Sequence, residues 1–225
     1  MKKITFFLAL AFVSILIVSC SRISNEDKVK QLVEAEIKSY LLKPDSYKFV
    51  SLQIDSLYSD DFNRSPEFIS IYIELSDLYS DYKIQKSSIE SAERQMSLSS
   101  PSYGFWSEYS KQQYNQSKKD KELAQRKAED KKAAILNLLR KYRDNLSVAL
   151  TKPHELREWI VTFNYTAENA YGNAVPGSNY YYINTDFTHI EKKFTDDELR
   201  FLDKDMFEDM CYEFEDEINA MKAEE

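Results

Sequence analysis

Only three glycines and five prolines occur in 225 residues. So small a supply excludes long flexible linkers and any glycine-rich loop of the phosphate-cradling kind. Cysteine is scarcer still, with Cys20 and Cys211 as the whole complement. Two thiols, one of them near the start of the chain, exclude a disulfide framework. Histidine is limited to His154 and His189, and neither lies in a metal-binding or nucleophile-activating motif. Cys-x-x-Cys and His-Glu-x-x-His are both absent. Positive charge is in deficit: 30 Lys and Arg stand against 38 Asp and Glu, a formal net charge of -8. An acidic chain repels phosphate backbones, so nucleic acid is not an expected partner. These absences argue against an enzyme, a metal site or a bound cofactor.

What is present starts with residues 1–20. Met1-Lys2-Lys3 is a short basic opening, and Ile4 to Val18 is an almost unbroken apolar run. The run is too short to span a bilayer and polar sequence follows at once, which reads as a secretory signal. Its ending, Ile17-Val18-Ser19-Cys20, resembles the bacterial lipobox. That resemblance implies cleavage before Cys20 and acylation of its thiol. Residues 1–19 are then a signal peptide and 20–25 a lipidated tether, holding the protein to a membrane of the bacterial envelope. Ser21 resembles the residue that permits sorting to the outer membrane, the expected location. Cys211 is left to pack as a thiol on the last helix.

Beyond the tether the periodicity alternates between helix and strand. Val29, Leu32, Val33, Ile37, Tyr40 and Leu41 fall at helical spacing over Glu26–Leu42, and Lys43-Pro44-Asp45 stops the helix. Tyr47–Leu57 turns to period two, with Val50, Leu52 and Ile54 on one face. Ser65-Pro66-Glu67 is a helix start, Ser as N-cap and Pro at the first position. A heptad-like series follows from Phe68 to Ser99, fading from large apolar to small and polar residues. Pro101-Ser102-Tyr103-Gly104 is the break, and a second helix runs from Phe105 to Leu150 with its apolar residues late. Folding back at the break pairs apolar end with apolar end, giving a coiled-coil-like hairpin that projects outward; the alternative is a packed bundle. A helix of about 34 residues reaches roughly 50 Å.

Strands return at Glu158–Thr166, with Trp159, Val161, Phe163 and Tyr165 on one face, and at Ser178–Phe187. Thr195-Asp196-Asp197-Glu198 starts a last helix that buries Leu199, Leu202, Met206, Met210 and Phe214. The expected fold is α+β: a small three-stranded antiparallel sheet, with N- and C-terminal helices on one face and a long inserted helical hairpin. Residues 26–65 and 151–225 form the base domain, and 66–150 the insertion.

Charge is uneven along the chain. Lys111–Arg143 holds eleven basic residues against four acidic, and Asp196–Glu225 thirteen acidic against three basic. Either both are solvated helix faces, or the acidic tail meets the basic helix. Sixteen tyrosines are the least ordinary feature. Tyr180-Tyr181-Tyr182 places aromatics on both faces of a strand, and the face outside the core can stack on glycan or peptide.

Two stretches carry a family resemblance. Leu42-Lys43-Pro44-Asp45-Ser46-Tyr47-Lys48-Phe49-Val50 resembles the opening of small uncharacterised lipoproteins of the Bacteroidales type. Val161 to Asn173, ending Asn169-Ala170-Tyr171-Gly172-Asn173, is similar to their later strand and turn, where a second Gly usually stands at the Asn173 position. The resemblance covers 27–60 and 158–190 and implies a small α+β domain with no catalytic residues. The expected function is a non-enzymatic envelope lipoprotein, with the membrane as partner through its lipid and a protein partner through the hairpin. The alternative is a glycan- or peptide-binding lipoprotein that uses Tyr180, Tyr181 and Tyr182.

Overall fold

Ser24 starts the first helix. Its hydroxyl accepts the backbone N–H of Asp27 at 3.1 Å, and Glu26 and Asp27 place acid at the positive end of the helix dipole. The computed structural model describes residues 24–100, 107–199 and 204–223. The signal segment 1–19, Cys20 and the break at Pro101–Gly104 lie outside the described residues. The chain divides into two units: residues up to Asp55 with Trp159–Lys193, and Ser56–Glu158 with Phe194–Glu225. This division differs from the one drawn on the sequence, because the C-terminal residues group with the helical hairpin.

In the first unit, α1 (Asn25–Tyr40) lies on an antiparallel sheet. Val29, Val33 and Ile37, spaced four apart, are fully buried. Leu41 is already extended and Pro44 follows, so the helix cannot continue. The sheet has four strands in chain order: β1 (Lys48–Tyr58), β2 (Leu156–Glu168), β3 (Ala174–Asn184) and β4 (Ile190–Thr195). Val161, Phe163, Tyr165 and Ala167 of β2 and Tyr181 and Ile183 of β3 close the core under α1.

β4 corrects the three-stranded expectation. Its apolar residues are only Ile190 and Phe194, with Glu191, Lys192 and Lys193 between, so no run of period two stands out in the sequence. Short, charged edge strands of this kind limit unwanted pairing. β3 also ends earlier than expected, at Asn184, whose side-chain oxygen accepts the N–H groups of Thr188 and His189 at 2.8 and 3.1 Å. Within that turn Phe187 adopts φ 58°, held by burial and by stacking on Trp159 at 5.2 Å.

β1 departs from simple alternation. Leu52 and Ile54 pack on the core, but Val50, expected beside them, is 57% exposed. Phe49 meets Phe163 instead, ring centres 5.4 Å apart. The face therefore changes between Phe49 and Leu52, as an extra residue in one strand of a pair requires.

In the second unit, α2 (Pro66–Leu98) and α3 (Glu108–Leu150) form the hairpin. Ser65 and Ser107 cap them, accepting from the N–H groups of Phe68 and Ser110. Near the helix ends remote from the break, Ile71, Leu75, Tyr79, Ile135 and Leu139 form the core. Toward the break the contact narrows to Ala92, Ala124, Ala128 and Ser117, whose hydroxyl bonds Gln95 at 3.1 Å.

The last helix, expected over the sheet beside α1, is three helices: α4 (Asp196–Leu199), α5 (Lys204–Glu213) and α6 (Glu215–Ala223). Thr195 and Glu198 form a reciprocal capping box at the start of α4. Met210 and Phe214 are buried in the hairpin core, not on the sheet. Charge guides this docking. Glu213 accepts from Lys86 at 2.6 Å and Tyr79 at 2.9 Å, and Glu217 pairs with Lys132. The acidic tail thus meets basic residues of the hairpin within the molecule.

Burial opposes the ionisation of Glu213, but Lys86 and Tyr79 outweigh it and hold the carboxyl below its ordinary range. A depressed carboxylate stabilises above its unfolded pKa and loses that contribution as pH falls through the folded one. Thermal unfolding should therefore occur at lower temperature as pH drops from about 5 to 3. Glu213→Gln should flatten that dependence and cost about 1–2 kcal/mol at neutral pH. Phe214→Ala should cost about 3–5 kcal/mol in denaturant titration.

Candidate functional site

The two motif stretches, far apart in sequence, meet at one end of the first unit. Ser46, in the 3-10 turn Pro44–Ser46, donates to Lys43 O at 2.7 Å and accepts the N–H of Glu168 at 2.9 Å. The Lys43 ammonium reaches the Glu168 carboxylate at 3.0 Å. On the facing turn, Asn169 Oδ1 accepts the N–H groups of Tyr171 and Asn173 at 2.9 and 3.1 Å. Gly172 takes φ 81°, where a side chain would be strained. Asn173 is not left-handed, so this turn needs one glycine and not two.

A cleft of about 280 Å³ lies where the motifs meet. Tyr40, Leu41 and Leu42 form one wall, where α1 has ended and the sheet continues uncovered. Ala167 and Tyr165 of β2 and Val175 to Gly177 of β3 form the other, with Glu168 and Asn169 also lining it. Gly177 is essential to this shape. A Cβ there would collide with the ring of Tyr165, which lies over it.

Beside the cleft runs a hydrogen-bonded chain of hydroxyls. Tyr40 and Tyr165 hydroxyls stand 3.4 Å apart, and Asn179 Nδ2 donates to Tyr40 at 2.9 Å and to Tyr181 at 3.1 Å. Tyr181 donates to Glu36 at 3.0 Å, and Lys193 donates to the other oxygen of Glu36 at 2.8 Å. The Lys193 ammonium also lies 4.2 Å from the centre of the Tyr40 ring. Burial, then the bond to Tyr40, pushes the Tyr165 hydroxyl up to about 12. Burial raises Tyr181 further still. Both stay protonated at ordinary pH, so neither hydroxyl supplies a base there.

The tyrosines singled out in the sequence occupy different surroundings. Tyr181 is fully buried under α1, Tyr182 is 2% exposed, and Tyr180 is half-buried. Neither Tyr181 nor Tyr182 offers an open ring face. The tyrosines at the cleft are Tyr40 and Tyr165, which sequence periodicity assigns simply to helix and core. The signal that could have found them is the pair of motifs flanking them. Cys20 lies outside the described residues. His154 bonds Asp60 at 2.9 Å and stacks on Tyr58, and His189 bonds Glu191 at 2.6 Å. Burial pushes the Cys211 thiol up, the opposite of an activated nucleophile. No metal-binding group of three His, Cys, Asp or Glu side chains occurs among the described residues.

A second cleft, of about 200 Å³, lies in the other unit beside Phe62 and Asn145. Its guanidinium, Arg157, bonds Glu67 at 2.6 Å and Glu158 at 3.0 Å. Burial works against the ionised form of Glu67, but Arg157 outweighs it and holds the carboxyl low. No protein-family profile, curated protein or solved structure matches this chain.

Gly177→Ala should destabilise by about 1–3 kcal/mol. If the Tyr165 ring is the cause, adding Gly177→Ala to a Tyr165→Ala chain should cost far less than adding it to the natural one. A double-mutant cycle by denaturant unfolding measures this coupling.

Proposed function

We propose that this chain is a lipid-anchored protein of the bacterial envelope, acting as a non-enzymatic protein-interaction module. The observation that carries the reading is Cys20, at the end of an apolar run and only four residues before the helix-capping Ser24. A thioether-linked lipid at Cys20 would hold α1 within about 15 Å of the bilayer surface, at roughly 3.5 Å per extended residue. No helix among the described residues is long and apolar enough to cross a membrane. On this reading attachment comes from acyl chains alone, and more than one is needed for a stable anchor. Ser21 directs the protein to the outer membrane.

The chemistry of the described residues favours binding over catalysis. The tyrosine hydroxyls beside the cleft are held protonated, and Arg157 in the second cleft is bonded to two carboxylates. The hairpin offers surface for a protein partner. Ile84, Tyr109 and Leu123 are each more than half exposed. The two motif stretches of the Bacteroidales-type resemblance support the same class, since both serve structure where they meet.

Growth with an alkyne fatty acid tests the anchor. The natural chain should take up label and migrate as the cleaved form. Cys20→Ala should lose the label entirely and retain its leader. Labelling that survives Cys20→Ala, or an unlabelled natural chain, overturns the reading.

A further inference from the structure

We propose that the cleft at the end of α1, with the strand edge beside it, docks an extended segment of a partner protein. The segment adds alongside Ala174–Gly177 and inserts one uncharged apolar side chain into the cleft. The inference does not depend on the lipid anchor.

Strand lengths carry the first step. β3 has eleven residues and β4 has six, joined by the turn after Asn184. With Asn184 opposite His189, the six residues of β4 reach back only to Ser178. Among the described residues, Ala174 to Gly177 therefore have β2 on one side and no strand on the other. Ala174, Val175 and Pro176 are exposed.

Register supplies the second step. Asn184 N–H bonds His189 O across the turn to β4, and Asn169 N–H bonds Asn173 O across the turn from β2. Alternation then turns the peptide groups of Ala174 and Pro176 outward, to the side β4 does not reach. Two carbonyls two residues apart, about 6.6 Å, match the N–H spacing of an extended chain. An acyl chain would leave them unmatched.

Pro176 narrows the choice further, since it offers an acceptor and no donor. A second copy of this edge, paired antiparallel about Pro176, would set each Pro176 carbonyl against a ring nitrogen that carries no proton. The partner is thus another chain, supplying the donors. Side chains of an added strand alternate between faces, and those on the α1 side fall beside Val175 and Gly177, at the cleft. About 280 Å³ accepts one large side chain. Lys43 already neutralises Glu168 at the cleft, which favours an uncharged one.

The test is nuclear magnetic resonance titration of the isotope-labelled full chain in detergent. The probes are acetyl-Lys-Val-Thr-X-Thr-Val-Lys-amide peptides, with X as Leu, Phe, Trp or Asp. At least one apolar X should shift the amides of Leu41, Leu42 and Ala174–Ser178, and Asp should weaken binding at least tenfold. Methylating alternate peptide nitrogens in one register should abolish binding, and Ala167→Trp should reduce it by filling the cleft. Pro176→Ala, which restores a donor, should retain or tighten it. No shift at these amides with any apolar probe at millimolar concentration overturns the proposal. So does binding indifferent to methylation in both registers, or equal binding of the Asp peptide. Shifts at the same residues with methyl glucoside but with no peptide assign the cleft to sugars and also overturn it. None of these outcomes alters fatty-acid labelling at Cys20.

Discussion

Val29, Val33 and Ile37 form a single buried stripe, and the first unit is built around it. One helix must cover an apolar sheet face made by β2 and β3, and sixteen residues are too few to cover all of it. At 1.5 Å per residue α1 spans about 24 Å. Where it stops, Tyr165, Ala167 and Val175 are left at the edge of the covered area and the cleft results. The hydroxyl chain from Tyr165 to Glu36 then satisfies polar atoms that α1 and the sheet enclose between them. Cleft and network share one cause, the length of a helix ended by Leu41 and Pro44.

The second unit joins apolar contact with charge in a different way. Each long helix of the hairpin buries large apolar residues at one end and small residues toward the break. Alanine and serine let the backbones approach but bury little area, so stability concentrates where Ile71, Leu75, Ile135 and Leu139 gather. The C-terminal helices add Met210 and Phe214 at that same place. Acid on those helices meets lysine on both hairpin helices, and these pairs orient them.

Much of this was legible in order and little in pairing. Helix starts at Ser65 and Thr195 were visible because capping chemistry is local. The apolar face of β2 was visible because a half-buried strand alternates. β4 was hidden, since an edge strand with two apolar residues looks like a charged loop. The exposed Val50 was hidden too, because an inserted residue moves a face without changing composition. The destination of the last helix could not be read from periodicity, which marks an apolar face but names no neighbour. Only its excess of acid, set against the lysines of the hairpin, pointed to the answer. The cleft followed the same rule: its motifs were legible as turns, while their meeting needed the fold.

Neither unit is continuous in sequence, for the chain passes between them after Asp55, Glu158 and Lys193. That arrangement has a kinetic consequence. The stripe of α1 meets Leu52 and Ile54 of β1 early, but its fully buried partners, Phe163 and Tyr181, arrive only about 130 residues or more later in synthesis. Closing so long a loop is slow, and contacts of high sequence separation lengthen the search. During that interval α1 and the early strand present unsatisfied apolar surface, the condition under which nascent chains aggregate. For such a chain, the yield of folded protein depends on how long Val29, Val33 and Ile37 stay uncovered.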